Sequence, residues 1–476
     1  MNAKLILCLI VFVPLIGAFI LPFLSSISKK FRNIAALVLV ATSVILSFVV
    51  LPSSIGSTPL QFNIEFPLGF NFGFLGDGLA VFMAIASAFI GAIIVFYSFG
   101  YIDHYKNQNE YYLMVVLFIG SMMGIVYSTN LILLFIFWEI SGICSWRLIG
   151  FYREKEYVIK ADKSFLVTVF GALVMLVGFI IIYFQTGTFD LVALRGTHIS
   201  NLAVLLILVG IFSKSATLPL HTWLPDAGVA PSPVTSLLHA AVLVKIGVYV
   251  FARLFLITFN IDVMWHTVIP VIVAASALVS AGAALIETNI KRIIAYSTVS
   301  QIAFIFLGLA TGSVIGAAGA ILYILMHGLA KGGLFLCAGI IEQNTGTKDI
   351  NKLGGLLTTM PITAAAFAIC AFSVMGIPPL GGFFSKMMVI NGAVVANEPW
   401  IALTFIIGAV LTMIYMLRLF IKIFFGENKF PNVKEGSFTM VFSVVVLAVL
   451  SVLGGILIYY PAEFVNEIVK QMAIIY

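Results

Sequence analysis

The chain has 476 residues, of which 62% are hydrophobic and only 9% charged, with a formal net charge of +6. Soluble proteins carry charge on roughly a quarter of their residues, so a string of water-soluble domains is excluded. A mean hydropathy of +1.16 over the whole length marks a polytopic membrane protein, all-α because irregular backbone cannot be left unsatisfied in hydrocarbon.

A bilayer core about 30 Å thick requires roughly 20 apolar residues of helix. In chain order that ruler gives about fourteen spans, centred near residues 13, 42, 88, 119, 139, 173, 209, 244, 276, 301, 328, 375, 412 and 448. The first follows Met1 to Lys4 in the manner of a signal peptide, but no small-residue cleavage site stands after it. Pro22, Ser25, Ser26 and Ser28 read as the end of a span, so it counts as the first helix. Alternate connections carry seventeen Lys and Arg on one side and four on the other, namely Lys4, Arg195, Arg253 and Lys470. By the positive-inside rule the richer side is cytoplasmic, and an even number of spans puts both termini outside. The remaining lysines, Lys214, Lys245, Lys331 and Lys386, fall within spans together with one acid, Glu139.

A charge at mid-membrane costs from about 2.5 kcal/mol to more than 10, so such residues mark ion or proton pathways. Glu139 sits within NLILLFIFWEISGICSWRLIG (130–150) and Lys214 within IFSKSATLPLHTWLPDA. Lys245 lies in LLHAAVLVKIGVYVFARL, and Lys331 follows His327 by four residues, on the same helix face. Lys386 follows GIPPLGG, where Pro378 and Pro379 flanked by Gly376, Gly381 and Gly382 predict a helix break over 376–382. Pro219 and Pro225 disturb the helix of Lys214 in the same way. A desolvated lysine gives up its proton more readily and a nearby carboxylate holds it. That opposition suits a reversible proton relay.

Paired helix breaks are a mark of inverted repeats in transporters. Phe212-Ser213-Lys214 recurs as Phe384-Ser385-Lys386, and Tyr249 to Arg253-Leu254-Phe255 is echoed by Tyr415 to Arg418-Leu419-Phe420. The spacing equals five helices, an odd number that inverts topology. His221, His239 and Asp226 are candidate accessories to the relay, although Asp226, like Asp77, reads better as a cap or turn residue. Arg147 stands eight residues from Glu139 on a similar face, near the positive side, and reads as interfacial.

Cys8, Cys144, Cys337 and Cys370 are isolated in apolar runs, without the spacing of a cluster or zinc site. There is no phosphate-binding Gly-Lys-Ser/Thr loop and no dinucleotide turn, so no cofactor is expected in this chain. The positive loops suit anionic lipid, not nucleic acid.

The stretches FWEISGICSWRLIGFY (137–152), SKSATLPLHTWLPDAGVAPSPVTSLLHAAVLVKIGVYVFAR (213–253), ETNIKRIIAYSTVSQIAF (287–304), HGLAKGGLFLCAG (327–339) and GIPPLGGFFSK (376–386) resemble the antiporter-like subunits of respiratory complex I. The same family supplies energy-converting hydrogenases and Mrp-type cation/proton antiporters. The resemblance covers roughly residues 70–425. It implies fourteen helices with helices 7 and 12 broken. It divides the chain into N-terminal helices 1–3 (1–110), two inverted five-helix repeats (111–255 and 267–424) and a last helix with its tail (436–476). It also implies a proton path through Glu139, Lys214, Lys245, His327, Lys331 and Lys386. Some relatives carry Glu at the last position, and Lys386 points away from that branch. In one class the chain continues into a lateral helix; because only about sixteen residues follow Tyr460 here, that arm is expected to be absent.

LPDA (224–227) and SLLHA (236–240) look more like the redox-driven members. That favours a proton-translocating, non-catalytic subunit of an energy-converting hydrogenase or complex I type oxidoreductase in a prokaryotic cell membrane. Its partners would be homologous antiporter-like subunits and peripheral redox subunits holding iron–sulfur clusters and nickel. The alternative is the D-type subunit of an Mrp sodium/proton antiporter, with sodium as a second transported ion. A third reading is a scaffold bundle, which five buried ionisable sites disfavour.

Overall fold

The computed structural model describes residues 3–55, 59–65 and 71–472. Each long apolar run closes its own backbone hydrogen bonds as a helix. In order these are α1 (Lys4–Leu24), α2 (Lys29–Ser54), α3 (Gly78–Tyr101), α4 (Gln108–Tyr127), α5 (Leu131–Ile149), α6 (Lys155–Thr186), α7 (Asn201–Lys214) and α8 (Ser232–Thr258). They continue as α9 (Trp265–Ile286), α10 (Ile290–Leu309), α11 (Val314–Thr345), α12 (Pro361–Met375), α13 (Gly381–Val395), α14 (Pro399–Phe424) and α15 (Phe438–Ile456). Among the described residues twelve are long and apolar enough to cross a membrane, and α7, α12 and α13 are shorter. The chain is an all-α polytopic membrane protein. A short helix, α16 (Tyr459–Gln471), ends the described residues.

The shorter helices lie where the prolines predicted breaks. Helix α7 ends at Lys214, and residues 215–222 run as turns through Pro219. Helix α12 ends at Met375; Gly376 takes a left-handed φ of 84°, and α13 resumes at Gly381. The second gap is therefore narrower than the expected 376–382.

A third interruption has no counterpart in the sequence expectations. Helix α8 opens into a π turn over Leu237–Ala241, Val242 leaves helical geometry (φ −125°, ψ −74°), and α-helix returns over Leu243–Phe251 before a second π segment, Ala252–Thr258. Single π turns inside helices are frequent at functional sites. Two small sheets also occupy connections: β1 (Leu60–Glu65) pairs antiparallel with β2 (Asn71–Gly76), and β3 (Thr197–His198) pairs parallel with β4 (Phe259–Asn260).

The most deeply buried helices are α8, α10 and α11, with α2, α6 and α15 on the periphery. Small residues allow this packing, as is usual between membrane helices. A Cβ on Gly392 of α13 would stand 2.4 Å from the Gly316 backbone of α11, so those two backbones touch.

One local structure occurs twice. Asn130 caps α5 by accepting from Ile132 N and Leu133 N, and Asn289 caps α10 by accepting from Lys291 N and Arg292 N. Each cap is laced to a Thr-Gly-Thr-x-Asp turn that closes the following helix, residues 186–190 after α6 and 345–349 after α11. The lacing bonds correspond: Leu131 N to Phe189 O (3.0 Å) with Ile290 N to Lys348 O (2.9 Å), and Leu191 N to Thr129 O (2.8 Å) with Ile350 N to Thr288 O (3.0 Å). Gly187 and Gly346 both take left-handed φ, 75° and 70°. Asp226 binds Lys163 at the start of α6 and Arg292 at the start of α10, so those starts share one face of the molecule. The two Thr-Gly-Thr-x-Asp turns therefore lie on opposite faces.

Candidate ion-translocation site

Five of the six residues expected to form the relay, Lys214, Lys245, His327, Lys331 and Lys386, are buried along a tract through the middle of the bundle. At its beginning, Lys214 is the last residue of α7, and its ammonium donates to the Trp138 carbonyl (3.1 Å) and lies 5.2 Å from the Trp138 ring centre. Glu139 follows Trp138 directly, but no ion pair within 4 Å joins it to Lys214 among the described residues. The carboxylate is also half-buried rather than interior. It shares the outer stripe of α5 with exposed Ile136 and Ile143.

Lys245 comes next, on the α-helical part of α8. Its ammonium is fully buried and has no protein partner, as have neither ring nitrogen of His239 and neither of His327. The ammonium lies against Gly328 of α11, where an added Cβ would stand 2.3 Å from it, so Lys245 reaches the residue after His327. His239 sits in the π turn with its ring stacked on Phe335 of α11 at 4.5 Å. Six residues before Lys245, His239 would stand off its face in a regular α-helix. The π turn puts it in the buried tract instead.

Beyond His327 the tract becomes a connected polar network. Lys331 donates to Ser297 Oγ (2.5 Å) and to Ile294 O (3.2 Å). The Tyr415 hydroxyl lies within hydrogen-bond distance of Ser297 Oγ (2.8 Å) and Thr412 Oγ1 (3.1 Å), and Gln301 Nε2 donates to the same Thr412 oxygen (3.1 Å). Tyr323 donates to Gln301 Oε1, and the Lys386 ammonium lies 5.4 Å from the Tyr323 ring centre. Lys386 also donates to Val374 O (2.6 Å), one of the carbonyls freed where α12 breaks. A lysine following a helix break thus satisfies the backbone that the break exposes. Ser297, Gln301, Tyr323, Thr412 and Tyr415 were not singled out from the sequence; neutral hydroxyls and amides in a span give no charge signal, although Tyr415 lay in the repeated Tyr-to-Arg pattern.

Several charges read as loop residues are interior. Arg253 is buried in the second π segment, donates bidentately to Asp77 (2.5 and 2.8 Å) and bonds Tyr249 through Nε (2.9 Å). Asp77 is the expected cap, accepting from Ala80 N (3.0 Å), and an ion-pair partner as well. Burial pushes the Asp77 carboxyl up, but the Arg253 charge and hydrogen bonds outweigh it and hold the group below the usual carboxylate range. A cavity of about 230 Å³ opens beside it, lined by Arg195 and Gln471 among others. Lys291 is likewise only 1% exposed and pairs with Glu342 at 2.6 Å.

Asp226 lies apart from the tract, on the face bearing most of the loop charge. It binds Lys163 (2.7 Å) and Arg292 (2.6 Å). Burial raises its carboxyl, and the hydrogen bonds and charges of those partners hold it lower overall. His221 is half-buried nearby; burial and the Lys163 charge lower its proton affinity against one backbone hydrogen bond. Arg147 pairs with Glu110, not Glu139.

Buried polar groups are hydrogen-bonded in the great majority of cases, so the five unpartnered nitrogens of Lys245, His239 and His327 call for bridging water. Lysines and histidines joined by water and hydroxyls can pass protons. Among the described residues no group of His, Cys, Asp and Glu is placed to hold a metal ion.

Comparison with known proteins gives a consistent picture. Residues 128–412 match the family described as NADH:quinone oxidoreductase/Mrp antiporter, transmembrane, and residues 64–112 match the N-terminus of chain 5 of NADH-ubiquinone oxidoreductase (complex I). The A1 subunit of a Na(+)/H(+) antiporter of Staphylococcus haemolyticus is 35% identical over 97% of this chain, and that of Staphylococcus aureus 33% over the same share. The chain spans 62% of the length of these relatives. A chain in the Mrp complex of Dietzia sp. DQ12-45-1b superposes with a TM-score of 0.91 at 23% identity, covering 99% of this chain and 98% of that one. A chain of respiratory complex I from Thermus thermophilus superposes with a TM-score of 0.84 at 22% identity, covering 98% and 99%.

Proposed function

Because the chain belongs to the NADH:quinone oxidoreductase/Mrp antiporter family of membrane subunits, we propose that it is a proton-conducting subunit of a multisubunit Na+/H+ antiporter of the Mrp type. The observation that carries this is the match to the A1 subunits of Na(+)/H(+) antiporters at 33–35% identity along 97% of the chain. It favours the antiporter over the redox-driven complex toward which LPDA and SLLHA had pointed, and an A-type over a D-type subunit.

In this reading Glu139 and Lys214 begin the path, Lys245, His239 and His327 carry it across the middle, and Lys331 and Lys386 end it through the Ser297–Tyr415–Thr412–Gln301–Tyr323 network. The recurring cap and turn support two inverted repeats, near 111–255 and 267–424. The positive loops put their face in the cytoplasm. Glu139 argues for a partner: a carboxylate half-exposed beside Ile136 and Ile143 is costly against lipid and suits a second membrane subunit lying on α5.

The test is purification of the native assembly and reconstitution into vesicles. Sodium added to vesicles holding a pH gradient should collapse it, and the assembly should contain neither iron–sulfur clusters nor nickel. Finding those clusters, with proton movement tied to electron transfer and indifferent to sodium, returns the chain to the redox-driven reading.

A further inference from the structure

The two Thr-Gly-Thr-x-Asp structures share backbone, caps and lacing bonds, and among the positions at which they differ three stand together. Where the copy after α6 has Ile132, Tyr183 and Phe189, the copy after α11 has Lys291, Glu342 and Lys348. In the first copy the Tyr183 and Phe189 rings stack at 4.5 Å. In the second, Glu342 Oε1 pairs with Lys348 (2.9 Å) and Glu342 Oε2 with Lys291 (2.6 Å). The scaffold therefore closes without these three charges, since its twin does so on an aromatic stack. Burying an ion pair stabilises little over apolar packing of similar volume. Three charges in place of that packing need another reason.

Their surroundings supply one. Lys291 is 1% exposed and also donates to Ala230 O (3.0 Å), whereas Glu342 and Lys348 keep 17% and 26% of their side chains in contact with the exterior. The Ser232 hydroxyl, at the start of α8, donates to Glu342 Oε2 (3.3 Å). From α3, Tyr97 and Tyr101 lie within electrostatic reach of Glu342, as does Tyr152 after α5. Tyr97 also donates to Leu336 O of α11 (2.9 Å). Seven residues beyond Ser232 along α8 stands the unpartnered His239, and eleven residues back along α11, about 16 Å of helix, stands Lys331. The triad thus has one end at the surface and the other at the foot of both helices that carry the middle of the tract.

We propose that Lys291, Glu342 and Lys348 form the cytoplasmic proton-access site of this path, with Glu342 exchanging protons with the cytoplasm and passing them by way of Ser232 toward His239 and Lys331. The inference rests on the ion-path reading above. A proton arriving on Glu342 neutralises the carboxylate and loosens both lysine contacts. Its departure restores them, so the triad is set to hold one proton at a time.

The reconstituted assembly tests this through the pH of each face separately. Glu342→Gln, close in shape, should lower proton exchange at least tenfold and flatten its dependence on cytoplasmic-face pH, leaving the opposite-face dependence unchanged; Glu342→Asp should recover part of the rate. Lys348→Phe, at a position partly exposed, keeps the buried pair and should move the cytoplasmic-face profile toward higher pH, because one positive charge no longer opposes the incoming proton. The combined Lys291→Ile, Glu342→Tyr, Lys348→Phe chain, carrying the twin's residues, should assemble and fail to transport. Wild-type rate and profile in Glu342→Gln, or transport by the combined variant, overturns the proposal. Lys214→Ala, assayed beside them, separates two kinds of failure. If it is inactive while Glu342→Gln is normal, only the access site falls; if both are normal, the ion path itself falls.

Discussion

At the scale of single residues, the lysines expected to work are held in different ways. Lys214 and Lys386 rest on backbone carbonyls, Lys331 on a hydroxyl and a carbonyl, and Lys245 on no protein group. Removing Lys214 should abolish ion exchange while leaving the assembly intact, since the Trp138 carbonyl it releases still accepts from the Ser141 hydroxyl; transport in vesicles beside subunit content after purification checks it. Glu139→Gln should be as severe. A rate for either variant near wild type removes that residue from the path. Lys386→Ala should cost more than activity, because Val374 O loses its partner and an orphaned buried acceptor costs about 1–3 kcal/mol. A lower melting temperature in detergent for Lys386→Ala than for Lys214→Ala would reveal the difference. The positions of these charges were legible because a charge in a long apolar run stands out. The exposure of Glu139 was not, because a span near 139 says nothing of which side of the helix faces outward. Nor was the burial of Arg253 and Lys291, which lie close enough to helix ends to pass for loop charges.

Among the elements, the prolines and glycines announced two of the three helix interruptions. The third, over Leu237–Ala241, is made of Leu, Leu, His, Ala and Ala, four of them good helix formers, with nothing to mark a π turn. Tertiary packing sets it. Gly376 is the element-scale residue to test. Its φ of 84° is a left-handed conformation that costs a residue with a Cβ about 1–2 kcal/mol, and an added Cβ would stand 3.1 Å from Lys386 Cδ. Gly376→Ala should therefore destabilise by about that amount and slow transport through the shifted lysine. Thermal unfolding and vesicle exchange read the two effects, and unchanged values in both would show the break tolerates a side chain. The Thr-Gly-Thr-x-Asp pair was in the sequence throughout, 159 residues apart. A search guided by charge passes over it because its residues are mostly neutral.

At the scale of the molecule, Asp226 ties the start of α6 to the start of α10, and so one half of the bundle to the other, through Lys163 and Arg292. Its carboxyl is held below the ordinary range, so it contributes stability that is present above the unfolded value of about 4 and is lost as pH falls through the lower folded value. Wild type should melt above Asp226→Asn at neutral pH, and the gap should close below about pH 4. A gap that persists there would assign the difference to something other than this ion pair. The fold class was legible because hydrocarbon dictates it, whereas the count of spans was not. About fourteen were expected; among the described residues twelve helices are long and apolar enough to cross, the breaks at Lys214 and Gly376 leaving three shorter ones. How the halves join across their polar faces was not legible either, since it depends on contacts between residues far apart in the chain, such as Ser232 with Glu342 and Asp226 with Arg292.

The five buried nitrogens of Lys245, His239 and His327 that lack a protein partner have one more consequence. If water completes their bonding, the working protein holds solvent that must be drawn from outside, and its activity is tied to osmotic pressure. A polymer too large to enter the bundle, added at constant sodium and pH, should slow exchange in proportion to the water it withdraws. A small solute at the same viscosity should not. The chain would then sense crowding as well as ions.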